Sequence, residues 1–381
     1  MRFELGGEQA QIREMVRSLA RKEFAPKAAE IDEHSRYPEE NLSRLAELGL
    51  LGMLIPASYG GSETGAVAYA IALEDVARGC ASTGVGMAVT NMVGDTIYRF
   101  GSEEQRRHFL TDLASGAGSG AFALTEPSAG SDAFGISTVA VPDGDAYVLN
   151  GNKTFITNGS RARVAIVAAV TQKEPKKKIS AFLVERGTRG YVSGRPERKL
   201  GLKGSDTVSL TFEDCRVPKR NRLGEEGEGF RIVMTALDGG RVGIAVQAIG
   251  IARAAVESAI SYAKERKQFG QSLSEFQAIQ WMLADSATEL DAAGLLALRA
   301  AYRKERGGSF TREASVAKVF ASEAAYRSCH RAVQVFGGYG YMREYPVERH
   351  LRDIKVTSIY EGTSEIQRVI IARDLVRQGY R

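Results

Sequence analysis

Apolar residues recur every three or four positions through the first hundred residues. Ile12, Met15, Val16, Leu19 and Ala20 fall on one helix face, and Leu42, Leu45 and Leu48 repeat the pattern over 39–50, with Gly49 near its end. Segments 67–77 and 103–113 read the same way, with turn-rich stretches such as PASYGGSETG (56–65) between them. Residues 1–118 are expected to form a helical domain. Near Ser119 the period changes. STVAV and AYVLNG flank PDGD (142–145) as a hairpin would, ARVAIVAAV (162–170) and ISAFLV (179–184) are apolar strands, and Val208, Leu210 and Phe212 alternate as in a half-buried strand. Residues 119–226 predict a small β-barrel or sandwich. From 227 to 381 the helical period returns, in long runs over 228–265, 275–305, 311–336 and 364–378. Four long helices with short connections predict an antiparallel four-helix bundle. Helices, then strands, then helices make the fold class α+β rather than a doubly wound sheet.

Composition narrows the function without naming it. The 381 residues are 44% hydrophobic and 25% charged, as in an ordinary globular chain. Lys plus Arg number 51 and Asp plus Glu 46, so the net charge of +5 is no nucleic-acid signal, and the cluster Lys176, Lys177, Lys178 reads as a solvated turn. Cys80, Cys215 and Cys329 are odd in number and form no CxxC, which disfavours a disulfide framework or a zinc site and fits a reducing compartment. The opening MRFELGGEQAQ has no basic region followed by an apolar run, and no stretch approaches 18 uninterrupted apolar residues, so neither a secretory signal nor a membrane span is expected.

Common nucleotide and metal motifs are absent. Gly84 and Gly86 begin a GxGxxG, but position 89 is Val and the segment after it reads as helix; no P-loop, HExxH, EF-hand or GxSxG occurs, and the four histidines are dispersed. Four polar clusters are harder to attribute to folding alone: LTEPSAGSD (124–132), NGNKTFITNG (150–159), VQVFGGYGYMREYPVERHLRD (333–353) and IYEGTSEIQR (359–368). Singly each has an ordinary explanation; Thr363 or Ser364, for instance, can cap the helix that follows.

Together, in this order and spacing, the clusters resemble the acyl-CoA dehydrogenase family over essentially the whole chain. The likeness runs to the short-chain and branched short-chain bacterial members, through STGVGMAVTN (82–91) and LDGGRVGIAVQAIGIA (237–252). It implies the same three-part fold and a homotetramer, built as a dimer of dimers, with FAD at a subunit interface. The segment from Phe122 through Leu124 and Thr125 to Ser131 matches the one that holds the flavin ring. Thr125 would bond its pyrimidine edge, and Ser131 would lie near a flavin phosphate and the acyl-CoA. Phe155, Ile156 and Thr157 match a Trp-Ile-Thr that packs on the flavin; here the indole is replaced by a phenyl ring. Arg266 matches an arginine on the FAD pyrophosphate of a neighbouring subunit, where guanidinium and phosphate pair with charge assistance. Phe269, Gln277, Gln334 and Gly338 match the same interface, and Thr363 and Glu365 its adenosine–pyrophosphate end. Asp238, Arg241, Tyr360 and Gly362 match substrate-contacting positions, with a helix-surface ion pair as the plain alternative for Asp238 and Arg241.

The decisive residue is Glu361 in YEGT, which the resemblance makes the base that removes the pro-R α-proton while flavin N5 takes the β-hydrogen as hydride. Some subfamilies carry the base on the LDGGR helix instead, where this chain has Gly240. The expected reaction converts a short linear or branched acyl-CoA to its trans-2-enoyl-CoA and passes electrons to an electron-transfer flavoprotein. It would serve fatty acid β-oxidation or branched-chain amino acid catabolism, in a bacterial cytoplasm or, for a processed eukaryotic chain, the mitochondrial matrix. No metal, nucleic acid or membrane insertion is expected. Two same-fold alternatives stay open: an oxygen-using flavin oxidase or monooxygenase, which would depart from the YEGT glutamate, and a DNA-associated flavoprotein, which would carry a further C-terminal domain. Gly84, Gly86 and Ala88 would either widen the acyl pocket or let helices approach closely, and Arg99 is the nearest candidate for a cation that a dicarboxylic acyl group would need.

Overall fold

The computed structural model describes residues 5–379, so the first four residues of the opening segment lie outside the described residues. Six helices come first: α1 (Gly7–Leu19), α2 (Ala28–Glu33), α3 (Glu39–Glu47), α4 (Gly65–Gly79), α5 (Ala81–Phe100) and α6 (Glu103–Ser115). Helix α6 shows why its ends fall where they do. Ser102 and Gln105 exchange side chain and backbone bonds in a capping box, and Gly116, at φ +74°, ends it in the left-handed conformation that glycine adopts without strain. Helices α4 and α5 are buried on almost every face, and for α5, which the periodicity did not mark out, this is the reason: a helix enclosed on all sides needs no polar stripe.

Eight strands follow: β1 (Ser119–Ala123), β2 (Val139–Asp143), β3 (Ala146–Thr157), β4 (Ala162–Gln172), β5 (Lys178–Glu185), β6 (Tyr191–Ser193), β7 (Thr207–Pro218) and β8 (Arg222–Leu223). They form one sheet in the order β6-β7-β3-β2-β4-β5-β8, with β1 parallel to β4. The sheet curls over itself, since Tyr147 on β3 meets Phe182 on β5, two strands that do not pair, with ring centroids 5.0 Å apart. The strand patterns follow from what covers them. On β7, Val208, Leu210 and Phe212 face the core inside the curl while Glu213 faces solvent. On β4, Ala165, Val167 and Ala169 face that same core, but Val164 and Ile166 pack on the helices, so the strand is apolar on both faces.

Beyond the sheet lie α7 (Gly229–Glu265), a two-residue hairpin between β9 (Lys267–Gln268) and β10 (Gln271–Ser272), α8 (Gln277–Glu305), α9 (Thr311–Phe336), α10 (Pro346–Ile354) and α11 (Ser364–Gln378). The four long helices fall on the periodic runs. Helix α10, inside the Gly- and aromatic-rich stretch, is an addition; Pro346 occupies its first turn, where a missing N–H costs nothing. Helix α7 spans 37 residues and is the spine of the molecule, touching α4, α5, α8, α9, α10 and the sheet. By length and composition alone it is apolar enough to cross a membrane, yet 72% of its apolar window is buried within the protein, so the hydrophobicity is that of a core helix.

Candidate active site

A cleft of about 460 Å³ opens where α5, the sheet, α7 and α11 meet. A larger cavity, about 880 Å³, lies between α1, α4, α7 and α10, but its lining mixes arginines with carboxylates, serines and alanines. The smaller cleft is the chemically distinctive one. One wall is Phe122, Leu124, Thr125 and Ser131; beside it stand Phe155, Ile156 and Thr157; the interior is Val85, Val89, Met92, Met234, Leu237 and Ile244; and Arg241, Tyr360, Glu361 and Gly362 close the end.

The first wall is a loop that the sheet alone would not hold. Glu126 lies buried beneath it, accepting from the Ser137 N–H and hydroxyl (both 2.7 Å), the Thr138 N–H (2.9 Å) and Lys153 Nζ (2.8 Å). Burial raises the Glu126 carboxyl, but Lys153, Thr138 and Ser137 outweigh it and pull it down to about 2. Lys153, itself fully buried, also donates to the Leu124 carbonyl at 3.0 Å. The LTEPSAGSD turn is thus tied to the middle of β3. Lys177 does not simply project into solvent, as the sequence suggested: its Nζ donates to the Ile136 carbonyl at 2.8 Å and pins the far end of the loop.

The same strand presents the aromatic. Pairing of β3 with β7 slips between Lys153 and Ile156, and within this bulge Phe155 takes φ +59°, unusual for a bulky residue. The bulge turns the ring out of the sheet, and Phe155 is 66% exposed at the cleft. A purely structural Phe would gain nothing from strained backbone and a solvated ring.

Glu361 sits on a second strained turn, with φ +54° followed by +89° at Gly362. Three side chains hold that turn by its carbonyls. Gln367 Nε2 donates to both (3.2 Å to Glu361, 2.9 Å to Gly362), Lys318 Nζ donates to that of Gly362 (2.7 Å), and Arg241 Nε approaches that of Glu361 (3.4 Å). Arg241, buried, is paired with Asp238, whose other oxygen accepts from the Thr311 hydroxyl (2.6 Å). The Tyr360 hydroxyl donates to Gln247 at 2.6 Å. The carboxylate itself is not tied down: Glu361 Oε2 is buried without a hydrogen-bond partner. Burial pushes this carboxyl up to about 7, while Arg241 and Lys318 oppose the rise. The emptiness of position 240 now has a steric reason. A Cβ on Gly240 would stand 2.5 Å from Glu361 Oε2 and 2.9 Å from Met92 Sδ, so a side chain there and this glutamate compete for one volume.

Not every expected residue lies at the cleft. Thr363 caps α11, accepting from the Ile366 N–H at 3.3 Å, and Glu365 is exposed on its first turn. Arg266, Phe269, Gln277, Gln334 and Gly338 line none of it; they gather at one exposed end of the bundle, where α7, α8 and α9 finish or begin. The Arg266 guanidinium lies over the Tyr339 ring, 5.5 Å from its centroid. Phe269, at φ +51°, is 94% exposed on the tip of the β9–β10 hairpin.

Of the two alternatives for Gly84, Gly86 and Ala88, the structure favours close helix packing: a Cβ on Gly84 would meet Ala77 at 3.0 Å, one on Gly86 would meet Leu42 at 3.2 Å, and Ala88 belongs to the buried helical core. The pocket-facing residues of α5 are Val85, Val89 and Met92, which the sequence reading passed over. It also passed over Lys318, Gln367 and Arg373, the last at the cleft's edge. Arg99 pairs with Asp95 and is absent from the lining.

Comparison with known proteins is consistent throughout. The acyl-CoA dehydrogenase N-terminal, middle and C-terminal domain models match residues 6–117, 121–215 and 227–376. A short-chain specific acyl-CoA dehydrogenase of Clostridium acetobutylicum is 46% identical over 99% of this chain and 100% of its own. The solved butyryl-CoA dehydrogenase of Megasphaera elsdenii superposes with a TM-score of 0.97 at 43% identity, covering 99% and 100% of the two chains. A chain from structural work on the electron transferring flavoprotein of Acidaminococcus fermentans matches with the same TM-score at 44% identity, again over 99% and 100%.

Proposed function

This chain belongs to the acyl-CoA dehydrogenase family, and from that premise we propose that it dehydrogenates a short-chain acyl-CoA at the α and β carbons, with Glu361 as the base. Its cofactor is FAD. The residues present fit that group: Phe155 offers a flat ring face, Phe122 and Leu124 an apolar wall, and Thr125, Ser131 and Thr157 polar atoms for the edge of a planar heterocycle. When bound, FAD supplies the acceptor for the β-hydrogen with its electron pair, so that loss of the α-proton leaves a trans-2-enoyl thioester and the two electrons stay on the cofactor.

The single observation that carries this reading is the unpartnered Glu361 Oε2, buried beside an apolar cleft. A base for a weakly acidic α-proton works best when its conjugate acid titrates near operating pH, and burial brings this carboxyl there. Among the described residues the Glu361 N–H makes no hydrogen bond, leaving a donor for the thioester oxygen as negative charge develops on it. The interior of Val85, Val89, Met92 and Ile244 is apolar and suits a short hydrocarbon tail beside the flavin wall of the same cleft. Similarity to a short-chain specific acyl-CoA dehydrogenase and to a butyryl-CoA dehydrogenase supports the same substrate range.

Arg266, Phe269, Gln277, Gln334 and Gly338 fit a pyrophosphate and adenosine approaching from another copy of the chain, in a homotetramer built from two such dimers. Electron-transfer flavoprotein fits as the acceptor, supported by the likeness to a chain from work on that protein. The oxygen-using alternative is disfavoured because Glu361 is present and sterically provided for at Gly240.

The test is anaerobic bleaching of the yellow protein by butyryl-, isobutyryl-, 2-methylbutyryl-, isovaleryl-, octanoyl- and glutaryl-CoA. Rapid bleaching by a four- or five-carbon ester is expected, and Glu361→Gln should slow it by about 10³- to 10⁴-fold while retaining FAD. Undiminished bleaching in that variant would remove Glu361 as the base.

A further inference from the structure

Lys318 is an expensive residue to keep where it is. It lies in the first third of α9, fully buried, and among the described residues no carboxylate comes within ion-pair distance of it. A buried ammonium without a close counter-ion opposes folding. Its one hydrogen bond is to the Gly362 carbonyl at 2.7 Å, which Gln367 already satisfies at 2.9 Å. Hydrogen bonding alone therefore does not explain a cation here.

What the cation faces is the glutamate turn. We propose that Lys318 is a positioning residue for Glu361, its buried charge holding the left-handed Glu361–Gly362 turn by the Gly362 carbonyl and stabilising the ionised form of the neighbouring carboxylate. The inference rests on the reading of Glu361 as the base.

The charges around the pair are few. From α7 come Arg241 and its partner Asp238; from α4, the buried Tyr69; from the turn itself, Tyr360; and further out, Glu365 on α11 and Glu323 on α9. Burial lowers the Lys318 ammonium to about 8, against which Glu361, Glu365 and Glu323 favour the charged form and Arg241 disfavours it. The two groups act on each other in the same sense: the ammonium favours the ionised carboxyl, and the carboxylate favours the charged ammonium. Arg241 acts in the same sense on Glu361, but its charge is already shared with Asp238. Arg241 is the larger influence of the two, and Lys318, whose foremost charged neighbour is Glu361, adds to it.

Lys318→Met removes the charge and keeps the length of the side chain. It should leave FAD bound and resistance to urea equal or higher, because a buried charge is gone. The acid limb of the anaerobic bleaching rate should move up by about one pH unit, slowing the reaction about tenfold at pH 6 with much less change at pH 9. Infrared titration of the Glu361 carboxyl in the protein without substrate, assigned by its disappearance in Glu361→Gln, should show the same upward shift. Lys318→Gln, which keeps a donor for Gly362 without the charge, should behave like Lys318→Met, and Lys318→Arg should return the limb towards that of the parent. A rate lowered equally at every pH, with the carboxyl titration unmoved in both neutral variants, would overturn the inference and leave Glu361 as the base. Full bleaching in Glu361→Gln would instead overturn the reading beneath it.

Discussion

The turn around Glu361 and the exposed end around Arg266 are both strained and polar, but they differ in how far one chain completes them. At the first, Gln367, Lys318 and Arg241 reach both carbonyls of the turn, and Glu361 keeps an unpartnered carboxylate oxygen and, among the described residues, an unbonded N–H. At the second, Phe269 holds a left-handed backbone at the tip of a two-residue hairpin, a place that favours Asn or Gly, and buries almost none of its ring. Arg266 beside it has a Tyr339 face for company and no carboxylate among the described residues. A turn whose carbonyls are held from within the chain, with a free carboxylate oxygen and N–H left at the cleft, suits the proposed role of Glu361 without help from another copy. A patch that keeps strain and exposes an aromatic and a cation suits the contact proposed there with another copy of the chain.

That difference predicts different consequences of damage. Gly240→Ala places a methyl group 2.5 Å from Glu361 Oε2, on a helix backbone that cannot yield. Displacing the base by about 1 Å should slow turnover about a hundredfold, with FAD retained and the assembly intact by sedimentation. Arg266→Ala should do the reverse. FAD affinity should fall about tenfold to a hundredfold, as for loss of one charge-assisted bond, while the rate of the flavin-loaded fraction changes little. If Gly240→Ala released FAD, or Arg266→Ala slowed the loaded enzyme as much as Gly240→Ala does, the division between the two regions would not hold.

The two regions were also unequally legible in the sequence. The long helices announced themselves because each buries one face: α8 and α9 occupy the periodic runs closely. Helix α5 carried less signal, since burial on all sides erases the polar stripe, and the same erasure hid which of its residues face the cleft. Gly84 and Gly86 drew attention by their composition and serve helix packing; Val85, Val89 and Met92 between and beyond them line the pocket. Glu361 was visible because YEGT is compact in sequence. Lys318 was not, because it lies 43 positions from Glu361 and joins it only through the packing of α9 on the turn before α11. Local motifs could be read from residues 122–132 and 359–368, but the distant supports of those motifs, Lys153 under the loop and Lys318 under the turn, required the fold.

The most direct test of the central claim is the pH dependence of anaerobic bleaching by butyryl-CoA under single-turnover conditions. Glu361 must be ionised to accept the α-proton, and its carboxyl is raised by burial to about 7, so the rate should be half-maximal near pH 7 and fall about tenfold for each unit below it. In Glu361→Gln both the rate and this inflection should disappear. A rate that stays flat down to about pH 5, or an inflection near 7 that survives in Glu361→Gln, would contradict the assignment of Glu361 as the buried base.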